Sequence, residues 1–140
     1  MKEGAREPVP AIRRDRVMED VRIVLAGLWV SLMLTYLLGG VLRIFAGDFE
    51  AGEIAGRPTS QWMWVLAAVV MLIPIAMLIL SLTFRYPAIR WVNVVAAIFL
   101  ALFNLVGLPY PGAYDNLLIF VGFVFNGLTV WYAWSWVQVD

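Results

Sequence analysis

Apolar residues fall in four long blocks, each closed off by a short polar or turn-forming stretch. The first, roughly Ile23 to Phe45, opens with twenty uncharged residues from Ile23 to Leu42. The others run roughly from Trp62 to Phe84, Ala88 to Leu108 and Ala113 to Trp136. At 1.5 Å of rise per residue, about 20 residues cross a hydrocarbon core of about 30 Å. Segments such as "VLAAVVMLIPIAMLIL" lack the two-residue alternation of a barrel strand, so helices are expected. The predicted fold class is all-α: an integral-membrane antiparallel four-helix bundle with an N-terminal amphipathic extension. Residues 1–22 form a cytoplasmic or interfacial segment on this reading, and 23–136 the transmembrane domain.

The linkers carry further information. "AGDFEAGEIAGRPTSQ" is the longest and holds acids, three glycines and a proline. Phe49 and Ile54 are expected to dip into the interface on a short surface turn there. "RYPAIR" is a tight basic connection, with Pro87 suited to a helix's first turn. "LPYPGAYD" is a tight turn with two prolines. Within the N-terminal piece, Ile12, Arg16, Glu19 and Ile23 share one helix side, and Val17, Val21 and Leu25 a neighbouring one. That pattern suits a helical extension whose arginines meet headgroups, or a docking site for a cytoplasmic partner.

Composition agrees with a lipid setting. Hydrophobic residues make up 63% of the 140 and charged residues 14%, against about 25% charge in a soluble domain. Six of the seven tryptophans (62, 64, 91, 131, 134 and 136) sit where aromatic belts are expected, while Trp29 is expected to pack internally. Basic residues orient the bundle. Lys2, Arg6, Arg13, Arg14, Arg16, Arg22, Arg85 and Arg90 lie on one side, and only Arg43 and Arg57 on the other. The excess places both termini in the cytoplasm, with the chain in a prokaryotic inner membrane. The acids interspersed in the first 22 residues argue against a nucleic-acid arm, so no nucleic-acid partner is expected.

Much chemistry is excluded. There is no cysteine and no histidine, which removes disulfides, thiolate or imidazole metal sites and histidine-based triads. No span has Asp, Glu, Lys or His at its centre, as a proton-coupled pump or a small multidrug exporter would need. Ser31, Ser81 and Ser135 have no base nearby in sequence; Ser81 is expected to bond its own backbone. No metal and no cofactor is expected.

The polar residues that remain inside the spans are the site candidates. Tyr36, Gly39, Gly40 and Arg43 share a helix side. Arg43 either reaches into outer headgroups or faces span four, where Asp115 is its natural partner. Such a pair is either architectural or lines a pocket mouth with Tyr36, Tyr110 and Tyr114. Asn93, Ala97, Ala101 and Asn104 stripe span three; Asp115, Gly122, Asn126, Thr129 and Ala133 stripe span four. Asn93 and Thr129 are read as polar contacts between helices. Asn104 and Asn126 are the two amides that could face a central cavity. Pro74 is expected to kink span two.

The runs "MEDVRIVLAGLWVSLMLTYLLGGVLRIFAGDF" and "FNLVGLPYPGAYDNLLIFVGFVFNGLTVWYAW" resemble a family of small bacterial and archaeal four-helix membrane proteins of unknown function, over about Met18 to Trp136. The layout is also similar, more distantly, to the DoxX-like membrane proteins. These resemblances imply the architecture and bring no activity or residue role. The expected function is non-enzymatic: a structural or ligand-binding membrane module, associating with membrane lipids and forming a homodimer or larger. Its hypothetical outer site, Tyr36, Arg43, Asn104, Asp115 and Asn126, suits a lipid-like or small amphipathic ligand. The alternative is an oligomeric transporter or channel lined by Asn93, Asn104, Asn126 and Thr129. A lipid-directed enzyme using Asp115 or Arg43 comes third.

Overall fold

A computed structural model describes residues 10–54 and 56–136. Most of residues 1–22 fall within it; 1–9 lie outside the described residues. Four helices pack together: α1 (Ala11–Phe45), α2 (Gln61–Thr83), α3 (Ala88–Val106) and α4 (Ala113–Ser135). Each is long and apolar enough to cross a membrane. Helix α1 lies against both α2 and α4, α4 against α3, and α2 and α3 make the least contact of the neighbouring pairs.

The N-terminal extension and the first apolar block form one element. Nothing between Ala11 and Phe45 breaks the ladder, because no glycine pair or proline falls at the junction. At 35 residues α1 is about 52 Å long, about 20 Å more than a hydrocarbon core. Its expected amphipathic split is partly realised. Ile12 and Val17 are exposed, while Val21 and Leu25 pack into a cluster with Ile89, Val94, Ala133 and Trp136. Pro74 sits within α2 without ending it, its ring fully buried. Pro87 stands just ahead of α3.

The first linker is more ordered than its composition suggests. Glu53 pairs with Pro58 and Ile54 with Arg57 in a two-residue antiparallel ladder, β1 (Glu53–Ile54) and β2 (Arg57–Pro58). Gly52 and Gly56 flank β1 at φ of 84° and 72°, a region closed to most side chains. A ladder this short has no alternation to read.

Buried and exposed positions are reversed from the soluble pattern. Val69, Leu72, Ile79, Leu102, Phe120 and many like them face outward. Asn93, Ser81, Asn126, Thr129 and Asp115 face inward. One core cluster gathers Trp29, Leu32, Val70, Met77, Ala97 and Leu100 from α1, α2 and α3.

Beside it lies a buried polar node. The Asn93 Oδ1 accepts the Trp29 indole N–H at 2.7 Å and the Ser81 hydroxyl at 3.2 Å, while its Nδ2 donates to the Ile89 carbonyl at 2.9 Å. All three side chains are fully buried. Trp29 therefore packs internally as expected, and Ser81 bonds across to α3 instead of to its own helix. Asn93→Leu is expected to cost about 1–3 kcal/mol, because it strands two buried donors. Adding Trp29→Phe to that variant is expected to cost less than the two single changes summed. Detergent-based unfolding of the four variants measures both; strict additivity would contradict the node.

Candidate functional site

The residues singled out by sequence gather at the end of the bundle where α1 stops and α4 starts. Arg43 is in the last turn of α1 and Asp115 in the first turn of α4. Their side chains pair at 3.1 Å. Asp115 belongs there electrostatically, since a carboxylate at a helix start faces unsatisfied N–H groups and a positive dipole end. Arg43, in turn, lies where the carbonyl end of α1 favours a cation. The pair is unequal in exposure: the Arg43 side chain is 39% exposed and that of Asp115 10%.

Aromatic residues frame the pair. The Arg43 guanidinium stands 5.4 Å from the centre of the Tyr110 ring, within cation–π range. Tyr110 is held by Asn116, which accepts from its backbone N–H at 3.0 Å and donates to its carbonyl at 2.9 Å. A Cβ at Gly107 would run into the Tyr110 hydroxyl, so glycine at that α3 terminus lets the ring fold back. Tyr114 donates to Asp48 at 2.6 Å and thereby ties the first linker to α4. Asn116 and Asp48 were not singled out in the sequence. An asparagine four residues after a Pro-Gly-containing turn is a signal for such a clamp, though a weak one.

One layer deeper, the Tyr36 hydroxyl accepts the Asn104 amide N–H at 2.6 Å, linking α1 to α3. Gly122 of α4 faces Tyr36: a Cβ there would lie 3.8 Å from the ring. Asn126 lies one turn along α4 from Gly122, on the same buried face. It is 2% exposed, yet neither its Oδ1 nor its Nδ2 has a hydrogen-bond partner among the described residues. Thr129 is buried and satisfies its hydroxyl within α4, on the Phe125 carbonyl at 2.9 Å.

The five candidate residues thus resolve into two contacts and one orphan. Arg43 closes on Asp115, Tyr36 closes on Asn104, and Asn126 stands beside the second pair unpaired. Of the two glycines, Gly39 meets Leu118 of α4, whose Cδ1 would lie 3.4 Å from an added Cβ, whereas Gly40 faces open space. Among the described residues no cluster of three Asp or Glu offers a metal site.

The opposite end is fastened by arginines on carbonyls. Arg22 donates to the Phe84 carbonyl at 2.6 Å and to that of Ser81 at 3.3 Å, closing the end of α2, and lies over the Trp136 ring. Arg90 donates to the Trp134 carbonyl at 2.9 Å. Tyr86 donates to the Trp136 carbonyl at 3.3 Å. Trp136, expected in an aromatic belt, is instead 2% exposed. Comparison with protein-family models, curated proteins and solved structures finds no match for this chain. Its chemistry is read from its own geometry.

Arg43→Ala and Asp115→Ala are each expected to destabilise the fold, with a coupling of about 1 kcal/mol once the exposure of Arg43 is discounted for screening. A double-mutant cycle on unfolding tests it, and zero coupling would refute the pairing. Asn126→Leu is expected to be neutral or stabilising, since it removes a buried unsatisfied amide, whereas Asn104→Leu deprives Tyr36 of its donor and destabilises. The same unfolding assay ranks the two.

Proposed function

We propose that this chain is a small multi-pass membrane protein, an antiparallel bundle of four spans with both termini on the cytoplasmic side of a prokaryotic inner membrane. Its role is non-enzymatic, that of a structural and lipid-associating module. One observation carries the reading: apolar side chains cover the outside of all four helices while the amides, Thr129 and Asp115 turn inward. Such an arrangement is costly in water and stable in hydrocarbon. The inventory of side chains supports a non-catalytic role. Asp115 and Arg43 neutralise one another, the neighbouring Asp48 is occupied by the Tyr114 hydroxyl, and the sequence holds no histidine or cysteine to move a proton or attack a substrate.

A pore between protomers would need Asn93, Asn104, Asn126 and Thr129 on an outer face. Asn93, Asn126 and Thr129 are buried within the single chain, and the half-buried Asn104 is taken by the Tyr36 hydroxyl. Packing accounts for them better.

A chain without cysteine allows single cysteines to report sidedness. Membranes carrying Glu53→Cys are expected to be labelled from outside, and those carrying Asp15→Cys only after opening from inside. Labelling of both from one face would overturn the topology, and release of the chain by alkaline carbonate would overturn membrane insertion. Vesicles containing the purified chain are expected to hold ion gradients as well as empty ones. A leak abolished by Asn126→Leu would move the assignment to transport.

A further inference from the structure

Where α2 and α3 part, an apolar groove of about 440 Å³ opens along the bundle, floored by Ile73, Val92 and Ala96 and walled by Trp91, Val95 and Phe99. Its volume lies within the range of small-ligand pockets, about 300–1,000 Å³. From Trp91 to Phe99 it extends about 12 Å along α3, close to one leaflet's share, about 15 Å, of a hydrocarbon core. Beside the Trp91 end sits Arg90. Its guanidinium lies 5.6 Å from the centre of the Trp91 ring and 5.2 Å from that of Trp134, and the two rings meet edge to face. The Arg90 Nε–H is enclosed and has no acceptor among the described residues. The sole ion pair among the described residues is Arg43–Asp115 at the far end. Arg22, Arg85 and Arg90 therefore gather at this end with no carboxylate of the described residues paired to them.

We propose that this groove and Arg90 form a site for an anionic phospholipid, with an acyl chain in the groove and the phosphate on the guanidinium. The inference rests on the membrane reading above and names a ligand class and a place for it. Charge complementarity decides the occupant. With Nη2 on the Trp134 carbonyl and Nε enclosed, the Arg90 Nη1 is the group left to donate to a phosphate oxygen, and the aromatic frame holds the guanidinium in position at little entropic cost. A zwitterionic lipid fills the groove equally well but brings a cation toward three arginines. A symmetric second copy would bring its own Arg90 to the same edge.

The test uses the full chain reconstituted in vesicles of equimolar phosphatidylglycerol and phosphatidylcholine, then released into detergent and weighed by native mass spectrometry. Phosphatidylglycerol is expected to be retained several-fold over phosphatidylcholine. Arg90→Gln is expected to lower that preference roughly fivefold, the weight of one arginine near an anionic surface. Val95→Trp changes an exposed groove wall, leaves folding intact and is expected to reduce retention of both lipids. Arg57→Gln, at the far end, is expected to change nothing. Equal retention of the two lipids, or an unchanged preference in Arg90→Gln, would overturn the site. So would a Val95→Trp variant that alters oligomeric mass while retaining lipid, since the groove would then be a protomer interface. A chain that never enters the vesicles defeats the membrane reading itself, which separates that failure from the failure of this site.

Discussion

A single carboxamide oxygen holds three helices in register. Asn93 Oδ1 takes one hydrogen bond from Trp29 of α1 and one from Ser81 of α2, while its own nitrogen is anchored to the α3 backbone. The surrounding side chains, Ala97, Leu100, Val70 and Met77, are adaptable apolar shapes that tolerate sliding. Hydrogen bonds do not. In the lipid surroundings proposed above these bonds matter more, because lipid tails are as apolar as leucine and give helices no hydrophobic reason to meet. Each such bond contributes little to stability, about 0.6 kcal/mol on average in a membrane, but a slip of one residue would bury two unpaired donors. The node thus acts chiefly on specificity.

The two ends of the bundle then solve a common problem differently. Every helix finishes with carbonyls that lack partners and begins with N–H groups that lack them too. Where α1 ends and α4 begins, opposite charges sit on those termini and pair with one another, Arg43 with Asp115. Where α2 and α4 end, no acid of the described residues is used. Arg22 and Arg90 donate directly to carbonyls and rest against Trp136, Trp91 and Trp134. An arginine on a carbonyl keeps its full positive charge. One end is therefore close to neutral across its contacts and the other retains net positive charge, the asymmetry the basic-residue distribution implies for an orientation in a membrane.

Sequence reading recovers whatever depends on long averages. The four helices follow from length and apolarity, and each boundary falls within a residue or two, apart from the uninterrupted start of α1 at Ala11. The Arg43–Asp115 contact is accessible because both members sit near a span end, where pairing choices are few; Tyr36 and Asn104 read as lining a site, and their bond to each other does not follow. What escaped depends on single rotamers. Serines in helices often bond their own backbone, so nothing along the chain reveals that Ser81 turns to Asn93. Arg22 reads as a charge for headgroups and Arg90 as part of a tight basic connection; their use as caps requires knowing which helix end lies beside them. Gly39 and Gly40 are adjacent and alike, and only the rotation of α1 decides that the first meets α4.

Asn126 shows where these two kinds of information part. By spacing it belongs to the same stripe as Gly122 and Thr129, and the stripe does face inward. Yet the amide found no partner, while Tyr36 one layer away is bonded to Asn104. A phenolic oxygen has two lone pairs and one proton, so the bond from Asn104 leaves it able both to accept again and to donate. A rotation of Asn126 toward that hydroxyl would extend the pair into a three-residue chain across α1, α3 and α4, the counterpart of the Asn93 node, and would place a hydrogen-bonded tie at each level of the bundle. An unpaired buried amide costs about 1–3 kcal/mol and an off-rotamer side chain about 0.5–1.5 kcal/mol, so the open arrangement carries the first cost and a closed one at most the second.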